Sequence, residues 1–201
     1  MTKLVVSKMF DQHKTQISDN THYLKVFRDM GIGMITMRLN LDDQVLKRKL
    51  RHVLGISIPP VRNIAATTDA ILAWMSPDEL LYFCTREEVF NRLNLLRDSF
   101  NSEHTLFLDV SDARVIFSME GDRVREVVAK LAPIDTDLNS LAVGEIRRTR
   151  FSQVAAAVWL SEENRATVIC FGSVEKYLSD LLLVSSKKGS EVADLKTRNR
   201  N

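Results

Sequence analysis

The stretch ILAWMSPDELLYFC, residues 71–84, decides the fold class, because two apolar runs flank a short polar turn. Each run is rich in residues that favour strands, and Ser76-Pro77-Asp78 is typical of a tight turn. Thr85 and Glu88 follow at capping-box spacing, and the apolar residues after them recur at helical intervals up to Phe100. The stretch therefore predicts a β-hairpin that leads into an amphipathic helix.

A strand and a helix are predicted upstream of this hairpin. From Met34 to Leu41, apolar residues alternate with polar ones, which is the period of a strand with one buried face. Asp42-Asp43 then precedes an apolar stripe at helical spacing, and Gly55 is placed to end the helix. The predicted order in this half of the chain is β-α-β-β-α.

The same order recurs in the second half, with a strand near 115–119, a helix ending at Leu131, a hairpin over 155–171 and a last helix capped by Ser173. Two offsets relate the halves. The tryptophans differ by 159 − 74 = 85 residues, and Val89 and Val174 share that offset, whereas Leu46 and Val124 differ by 78.

The chain therefore predicts an α+β fold of two pseudo-repeated β-α-β-β-α modules that pack as one unit, since a single module would leave a sheet face exposed. The predicted modules cover about 34–104 and 113–184, with a strand near 105–110 between them, and together they make a domain over 34–184. We interpret residues 1–33 as an N-terminal arm and residues 185–201, which are too polar to bury a core, as a disordered basic tail.

Composition and charge limit the location and the partners. The 45% apolar and 27% charged content is that of a soluble protein, and no apolar run reaches the roughly 20 residues that span a bilayer. We expect a cytoplasmic protein with no membrane partner. Residues 1–25 carry +2 and residues 185–201 carry +3, so the body between them is 2 − 2 − 3 = −3. Because phosphate contacts need positive charge on the folded body, nucleic acid is not an expected partner.

Residues that could carry chemistry are scattered. Gly31-Ile32-Gly33 begins a partial dinucleotide fingerprint that ends in Thr36, and a flexible turn is the better interpretation. Cys84 and Cys170 stand in apolar runs and are predicted to be reduced core residues, with a disulfide or metal pair as the alternative. The histidines show no metal-ligand spacing; they are His13, His22, His52 and His104. We therefore predict no catalytic, cofactor-binding or metal-binding residue.

Two features leave alternatives open. Basic residues concentrate in two stretches, which are Lys47-Arg48-Lys49 with Arg51, and Arg147-Arg148 with Arg150. These stretches are interpreted either as solvated faces or as surfaces that dock on an acidic partner. Trp74 and Trp159 are interpreted as core anchors at equivalent points of the repeat, with ligand platforms as the alternative.

Five short motifs are more specific than composition or periodicity. They are Leu54-Gly55-Ile56-Ser57-Ile58-Pro59, Trp74-Met75-Ser76-Pro77-Asp78-Glu79-Leu80-Leu81, Leu108-Asp109-Val110-Ser111-Asp112-Ala113-Arg114, Glu120-Gly121-Asp122-Arg123-Val124-Arg125 and Lys130-Leu131-Ala132-Pro133-Ile134-Asp135. Together they resemble the gamma subunit of heterotetrameric sarcosine oxidase. The family shows W-L-G-P-D-E-W-L-L, D-V-S-D-A-R and K-G-C-P-L-D, so this chain departs from it at Ser76, Leu80 and Leu131-Ala132. The signature residues carried by the resemblance are Trp74, Pro77, Asp78, Glu79, Asp109, Ser111, Asp112, Arg114, Gly121, Lys130 and Asp135, and all are assigned structural roles.

The resemblance implies a fold like the first domain of the glycine-cleavage T-protein and of the tRNA-modification GTPase. It implies a complex with alpha, beta and delta subunits that oxidatively demethylates sarcosine to glycine, passes the one-carbon unit to tetrahydrofolate and forms hydrogen peroxide. FAD, FMN, NAD and tetrahydrofolate are then held by the partner subunits, and no catalytic residue is carried over to this chain.

We accordingly predict a docking subunit. The alternatives are the equivalent subunit of a related amine-oxidising complex such as N-methylglutamate dehydrogenase, a stand-alone folate-binding protein, or an interaction module with no oxidase partner.

Overall fold

Two antiparallel sheets pack face to face, and each carries two helices on its outer side. The structure is a computed structural model that describes residues 14–192. Its strands are Lys14–Gln16 (β1), Lys25–Asp29 (β2), Ile32–Arg38 (β3), Ile64–Ala66 (β4), Ile71–Ser76 (β5), Glu79–Thr85 (β6), Leu106–Asp109 (β7), Arg114–Glu120 (β8), Ile146–Phe151 (β9), Val154–Glu162 (β10) and Arg165–Phe171 (β11). Its helices are Gln44–Leu54 (α1), Val89–Ser99 (α2), Val124–Leu131 (α3) and Glu175–Ser185 (α4). Sheet I has the order β4-β5-β6-β3-β7, and sheet II has the order β1-β2-β8-β11-β10-β9.

Alternation along the strands divides the apolar residues among three clusters. In β8, Val115 and Phe117 contact the cluster beneath α3 and α4, whereas Ile116 faces sheet I. The helices α1 and α2 cover the outer face of sheet I in the same way, around residues such as Leu50. Both faces of each sheet are therefore covered over most of their area, so most strands are apolar at nearly every position.

The predicted repeat of two modules is confirmed, and each module contains one more strand than expected. Module I is β3-α1-β4-β5-β6-α2, and module II is β8-α3-β9-β10-β11-α4. The added edge strands are β4, which has only three residues, and β9, whose sequence IRRTRF lacks apolar alternation. Neither pattern reaches the length or periodicity from which a strand is predicted.

The strands that precede the modules are exchanged between the two sheets. β2 comes just before β3 in the chain but pairs with β8 in sheet II. β7 comes just before β8 but pairs with β3 in sheet I. Each sheet therefore contains a strand from the chain segment that leads into the other module, which physically joins the two modules into one unit.

The prediction that Trp74 and Trp159 occupy equivalent positions is wrong by one residue. Ala73 pairs with Leu81 as Trp159 pairs with Thr167, so Trp159 corresponds to Ala73 at an offset of 159 − 73 = 86. Since neighbouring residues of a strand point to opposite faces, the two indoles lie on different sides of their sheets. Trp159 is fully buried between the sheets, whereas half-buried Trp74 packs toward the helix-side cluster of sheet I.

Parts of the predicted arm and tail belong to the folded body. The range predicted as an arm contributes β1, β2 and the first two residues of β3. In the range predicted as a disordered tail, Tyr23 N donates to Ser186 O at 2.9 Å, and Lys188 N donates to Thr21 O at 2.8 Å. The prediction of disorder from residue 185 thus does not hold for residues 185–192. Residues 1–13, which include His13, and residues 193–201 lie outside the described residues.

Gly33 is a packing position and not part of a flexible turn. It is buried in β3, where a Cβ would collide with the side chain of Val89 at the start of α2. A glycine is therefore required by the close approach of helix and strand. No helix within residues 14–192 is long and apolar enough to span a bilayer.

Candidate functional site

The buried cysteines are structural and lie in different sheets. Cys84 is in β6 and Cys170 is in β11, and neither forms a disulfide. Burial raises the pKa of each thiol to about 12, so both stay protonated and weakly nucleophilic at neutral pH. Within residues 14–192, no group of three or more His, Cys, Asp or Glu residues is placed to hold a metal ion.

A groove of about 720 Å³ opens at one end of the space between the sheets. It exists because the β9–β10 hairpin is longer than its counterpart in sheet I. Ile64 of β4 corresponds to Ile146 of β9 at an offset of 146 − 64 = 82. The strands that follow them, β5 and β10, correspond at the larger offset of 86. Module II therefore has four extra residues in this hairpin, and their inner face extends past the end of sheet I.

The floor of the groove is made of small residues between basic ones. Arg148 lies opposite Ala157, and Arg150 lies opposite Ala155, all on the face that points toward sheet I. On the far side of the alanines, the guanidinium of Arg114 lies over the ring of Phe171, 5.4 Å from its centroid. Because alanine side chains are short, a trough lies between two lines of longer side chains.

We use the name arginine groove for the surface formed by Arg62, Arg114, Arg148 and Arg150. Arg62 and Arg150 are exposed, and Arg148 is 54% exposed while its Nη1 donates to the carbonyl of Met75 at 3.0 Å. Arg150 Nη2 donates to the neutral Gln153 at 3.2 Å. The exposed guanidinium groups thus have hydrogen-bonding capacity directed at solvent.

One buried carboxylate is shared among the arginines at the base of this surface. Glu79 lies 3.4 Å from a guanidinium nitrogen of Arg38, 3.6 Å from Arg114 and 4.0 Å from Arg148. Burial lowers the pKa of Arg114, and Glu79 opposes that shift, so the group stays a cation at neutral pH. A single negative charge does not neutralise the groove, which therefore favours an anionic ligand or segment.

The groove is bordered by a free strand edge. β9 is the last strand of sheet II, and its first residue donates from Ile146 N to Arg62 O at 2.9 Å. Backbone groups alternate in direction along an antiparallel strand, so the N–H and C=O groups of Arg148 and Arg150 point to that same side. Beyond residue 146, no strand of the described chain pairs with this edge.

Five of the predicted signature residues lie at or beside the arginine groove. Trp74, Pro77 and Arg114 line it, and Glu79 lies at its base. Asp78 holds the turn between β5 and β6 in place, because it accepts from Ser76 Oγ at 2.6 Å and from Arg38 at 2.7 Å. The structure therefore brings the hairpin motif and the end of the D-V-S-D-A-R motif to one surface.

Three signature residues hold the loop between β7 and β8. Asp109 accepts hydrogen bonds from the backbone and the hydroxyl of Ser111. Ser111 Oγ in turn accepts from Met34 N at 2.9 Å, which ties the loop to β3. Asp112 is largely exposed and forms an ion pair with Arg86 at 2.5 Å.

The remaining three signature residues lie at the other end of module II. Gly121 has a φ of 146° and packs closely against Leu24. Lys130 forms an ion pair with Glu126 at 2.8 Å and donates to Tyr23 Oη at 2.9 Å. Asp135 accepts hydrogen bonds within the turn that follows α3, and the Ser140 hydroxyl lowers the pKa of its carboxyl group.

The two basic stretches lie on different surfaces. Arg48 and Arg51 are exposed on α1, which covers the outer face of sheet I. Arg147 alternates to the opposite face of β9, where Glu145 engages it at 3.0 Å, so the side chains of the other two arginines in its stretch are the ones that point toward sheet I. Sequence reasoning missed Arg62 and Phe171 as groove residues, because Arg62 is an isolated turn residue and Phe171 is the last residue of a predicted strand. Only the fold brings them to this surface.

The comparisons with known proteins agree with this fold. A profile of the "Sarcosine oxidase, gamma subunit family" matches residues 38–187. A comparison with curated proteins found no significant match. Among solved structures, the heterotetrameric sarcosine oxidase from Corynebacterium sp. U-96, in complex with pyrrole 2-carboxylate, matches with a TM-score of 0.78 and 17% identity over 88% of this chain and 90% of that chain.

The predicted likeness to the T-protein is also confirmed. The glycine cleavage system aminomethyltransferase T from Bartonella henselae matches with a TM-score of 0.58 and 11% identity, over 81% of this chain and 46% of that chain. At such identities the solved structures establish the fold alone. The profile match covers well over half of the 201 residues. The protein therefore belongs to the sarcosine oxidase gamma subunit family.

Proposed function

We propose that this protein is the gamma subunit of a heterotetrameric sarcosine oxidase. The observation that carries the proposal is the family match over residues 38–187. The fold likeness to a chain of a heterotetrameric sarcosine oxidase, which extends over 90% of that chain, supports it. The complex would oxidatively demethylate sarcosine to glycine, transfer the one-carbon unit to tetrahydrofolate and form hydrogen peroxide in the cytoplasm.

The proposed role of the chain is to bind and stabilise its flavin-bearing partners. In this proposal the alpha, beta and delta subunits hold FAD, FMN, NAD and tetrahydrofolate, and this chain supplies neither a cofactor nor a catalytic residue. A subunit that binds only the folded form of a partner stabilises that form by mass action. A stable interface of this kind buries more than about 1,000 Å² of surface.

Assembly tests the proposal directly. The tagged chain is co-expressed with the alpha, beta and delta subunits of the proposed complex, and the purified product is examined by gel filtration and visible absorption. We expect a single complex with a flavin spectrum that produces hydrogen peroxide from sarcosine. A preparation that oxidises N-methylglutamate and not sarcosine would assign the chain to the related dehydrogenase complex.

The isolated chain provides the opposing test. We expect it to be colourless and inactive toward N-methyl amino acids, with no calorimetric response to tetrahydrofolate. Bound flavin or amine oxidation by the chain alone would contradict the proposed role. Stoichiometric binding of tetrahydrofolate without any flavoprotein partner would favour a stand-alone folate-binding protein.

A further inference from the structure

We propose that the arginine groove and the free edge of β9 bind an extended, acidic segment of a partner polypeptide, which adds to sheet II as a further strand. The inference deepens the proposed function, on which the identity of the partner rests. It requires two kinds of complementarity, one from the backbone of β9 and one from the charges of the groove.

The backbone of β9 is prepared for strand addition. The contact from Ile146 N to Arg62 O shows which side of the strand faces outward, and Arg148 and Arg150 present their N–H and C=O groups on that side. An extended segment that pairs with this edge would satisfy these groups, as in other cases of β-strand addition. The five residues of β9 after Ile146 offer a pairing length typical of a whole strand.

The charges of the edge match the repeat of an extended acidic segment. The side chains of Arg148 and Arg150 share one face and stand two residues apart, which is about 6.6 Å along a strand. Carboxylates at alternate positions of an added strand have the same repeat. Arginine binds carboxylates through paired hydrogen bonds, so each match contributes specificity as well as attraction.

The same features disfavour two other occupants. A second copy of this chain, paired at the same edge, would bring its own arginines against these arginines, and like charges on neighbouring strands repel. A single small anion would reach one or two guanidinium groups and would leave the edge amides of Arg148 and Arg150 without partners. The extended acidic segment engages both sets of groups at once.

The first experiment reverses charge at matched sites. Arg62→Glu/Arg150→Glu changes two exposed groove residues and leaves Arg114 and Arg148, which contact Glu79, untouched. Arg48→Glu/Arg51→Glu makes the same charge change on the exposed face of α1. With the flavoprotein subunits, we expect at least a tenfold loss of assembly affinity for the groove variant and less than a twofold loss for the helix variant.

The second experiment measures whether the backbone amides of β9 become hydrogen-bonded in the complex. Hydrogen–deuterium exchange of the free chain and of the complex compares β9 with β1, the strand at the opposite edge of sheet II. We expect the amides of Arg148 and Arg150 to exchange at least tenfold more slowly in the complex, with β1 unchanged. Assembly without protection at β9, or equal assembly of the two charge-reversal variants, would overturn the inference and leave the proposed function standing.

A third experiment separates the inference from the proposed function. If the wild-type chain fails to assemble with the flavoprotein, the proposed function is wrong, and purified full-length chain is titrated with the labelled peptide (Glu-Thr)5 by fluorescence anisotropy. We expect tenfold weaker binding by Arg62→Glu/Arg150→Glu than by Arg48→Glu/Arg51→Glu, and weaker binding of a peptide with five consecutive glutamates. No binding, equal binding by both variants, or displacement by equimolar inorganic phosphate or tetrahydrofolate would overturn the inference.

Discussion

The two modules share one topology but treat their edge strands differently. β4 and β9 occupy corresponding positions, since Ile64 matches Ile146 and both residues are buried between the sheets. β4 stops after three residues, whereas β9 continues to Phe151 and carries three arginines. A short edge and a charged edge are two ways to prevent uncontrolled strand pairing, and only the charged one remains long enough to accept a chosen partner.

The same comparison separates the two tryptophans. In module I the position between the sheets is Ala73, and the indole of Trp74 is one residue further, toward the helices. In module II the indole itself fills the inner position, where Trp159 and Phe83 lie with ring centroids 5.8 Å apart. The inner position of this strand therefore holds a large side chain in module II and a small one in module I, and the indole of Trp159 packs against Phe83 of module I.

Truncating the inner tryptophan should have the largest effect on stability. We expect Trp159→Ala to lower the free energy of unfolding by about 3–5 kcal/mol, because a fully buried aromatic side chain leaves a cavity. Trp74→Ala should cost about 1 kcal/mol, since that side chain is only half-buried. Urea unfolding measures both values, and equal losses would contradict the assignment of the two indoles to different faces.

The turn after the first strand of each module gives the second test. Three residues link β8 to α3, whereas five link β3 to α1, and the shorter link passes through Gly121 at a φ of 146°. Gly121→Ala should lower the free energy of unfolding by about 2–3 kcal/mol, because an alanine is strained at that φ and its Cβ would lie 2.5 Å from Leu24 Cδ2. Gly55→Ala should lower the free energy of unfolding by about 1 kcal/mol, because Gly55 ends α1 in the left-handed region at a φ of 67° but has open space around it. Thermal unfolding of the two variants checks the order.

The exchanged strands differ in what they bury. Leu106 and Leu108 of β7 are about 42–43% exposed, whereas Asp29 of β2 is buried beside Ser118, which donates to it at 2.8 Å. Burial raises the pKa of Asp29 to about 6 from 3.8, although Arg165, Lys14 and Arg28 act in the opposite direction.

Because the folded pKa of Asp29 lies above its unfolded value, its contribution to stability is greatest below about pH 4 and is lost as the pH rises to about 6. The free energy of unfolding of Asp29→Asn, relative to that of the wild type, should therefore rise by on the order of 2 kcal/mol between pH 4 and pH 7.5. Urea unfolding at the two pH values measures this difference. A constant difference between the two proteins would show that Asp29 does not titrate in that range.

The loop that leads from the exchanged strand β7 into module II offers the smallest effects. Ser111→Ala should lower the free energy of unfolding by about 1 kcal/mol, because Met34 N loses its buried acceptor. Asp112→Ala should cost less than about 0.5 kcal/mol, since its ion pair with Arg86 is exposed. Both residues belong to the family signature, so chemical denaturation that ranked Asp112 above Ser111 would indicate that burial does not decide their roles.

Sequence patterns located the elements that are long and periodic. The hairpins, the helical stripes that begin at Val89 and Val174, and the buried cysteines follow from residue type and spacing alone. The strands β4 and β9 were missed because β4 is too short and β9 lacks apolar alternation. The predicted strand near 105–110 is present as β7, but the sheets that receive β2 and β7 were not predicted, because their pairing partners are distant in the chain. An apolar pattern shows that a strand is buried, but it does not show which sheet receives it.

The candidate site was only partly visible for the same reason. The Pro77-Asp78-Glu79 turn and the arginines of β9 were recognisable as motifs or as a basic stretch. Their convergence with Arg62 and Arg114 required the offset between the two hairpins. A difference of four residues in hairpin length changes no local propensity, yet it decides how much of the inner face of sheet II remains open.

By itself, the sequence determined that two similar sheet-and-helix modules form, because alternation and helical periodicity are local properties of the chain. Only the tertiary structure decided that Trp159 is the inner anchor, that the leading strands change sheets and that the arginines border a free edge. These outcomes depend on register and strand pairing across the fold, where a shift of one residue turns every side chain to the opposite face.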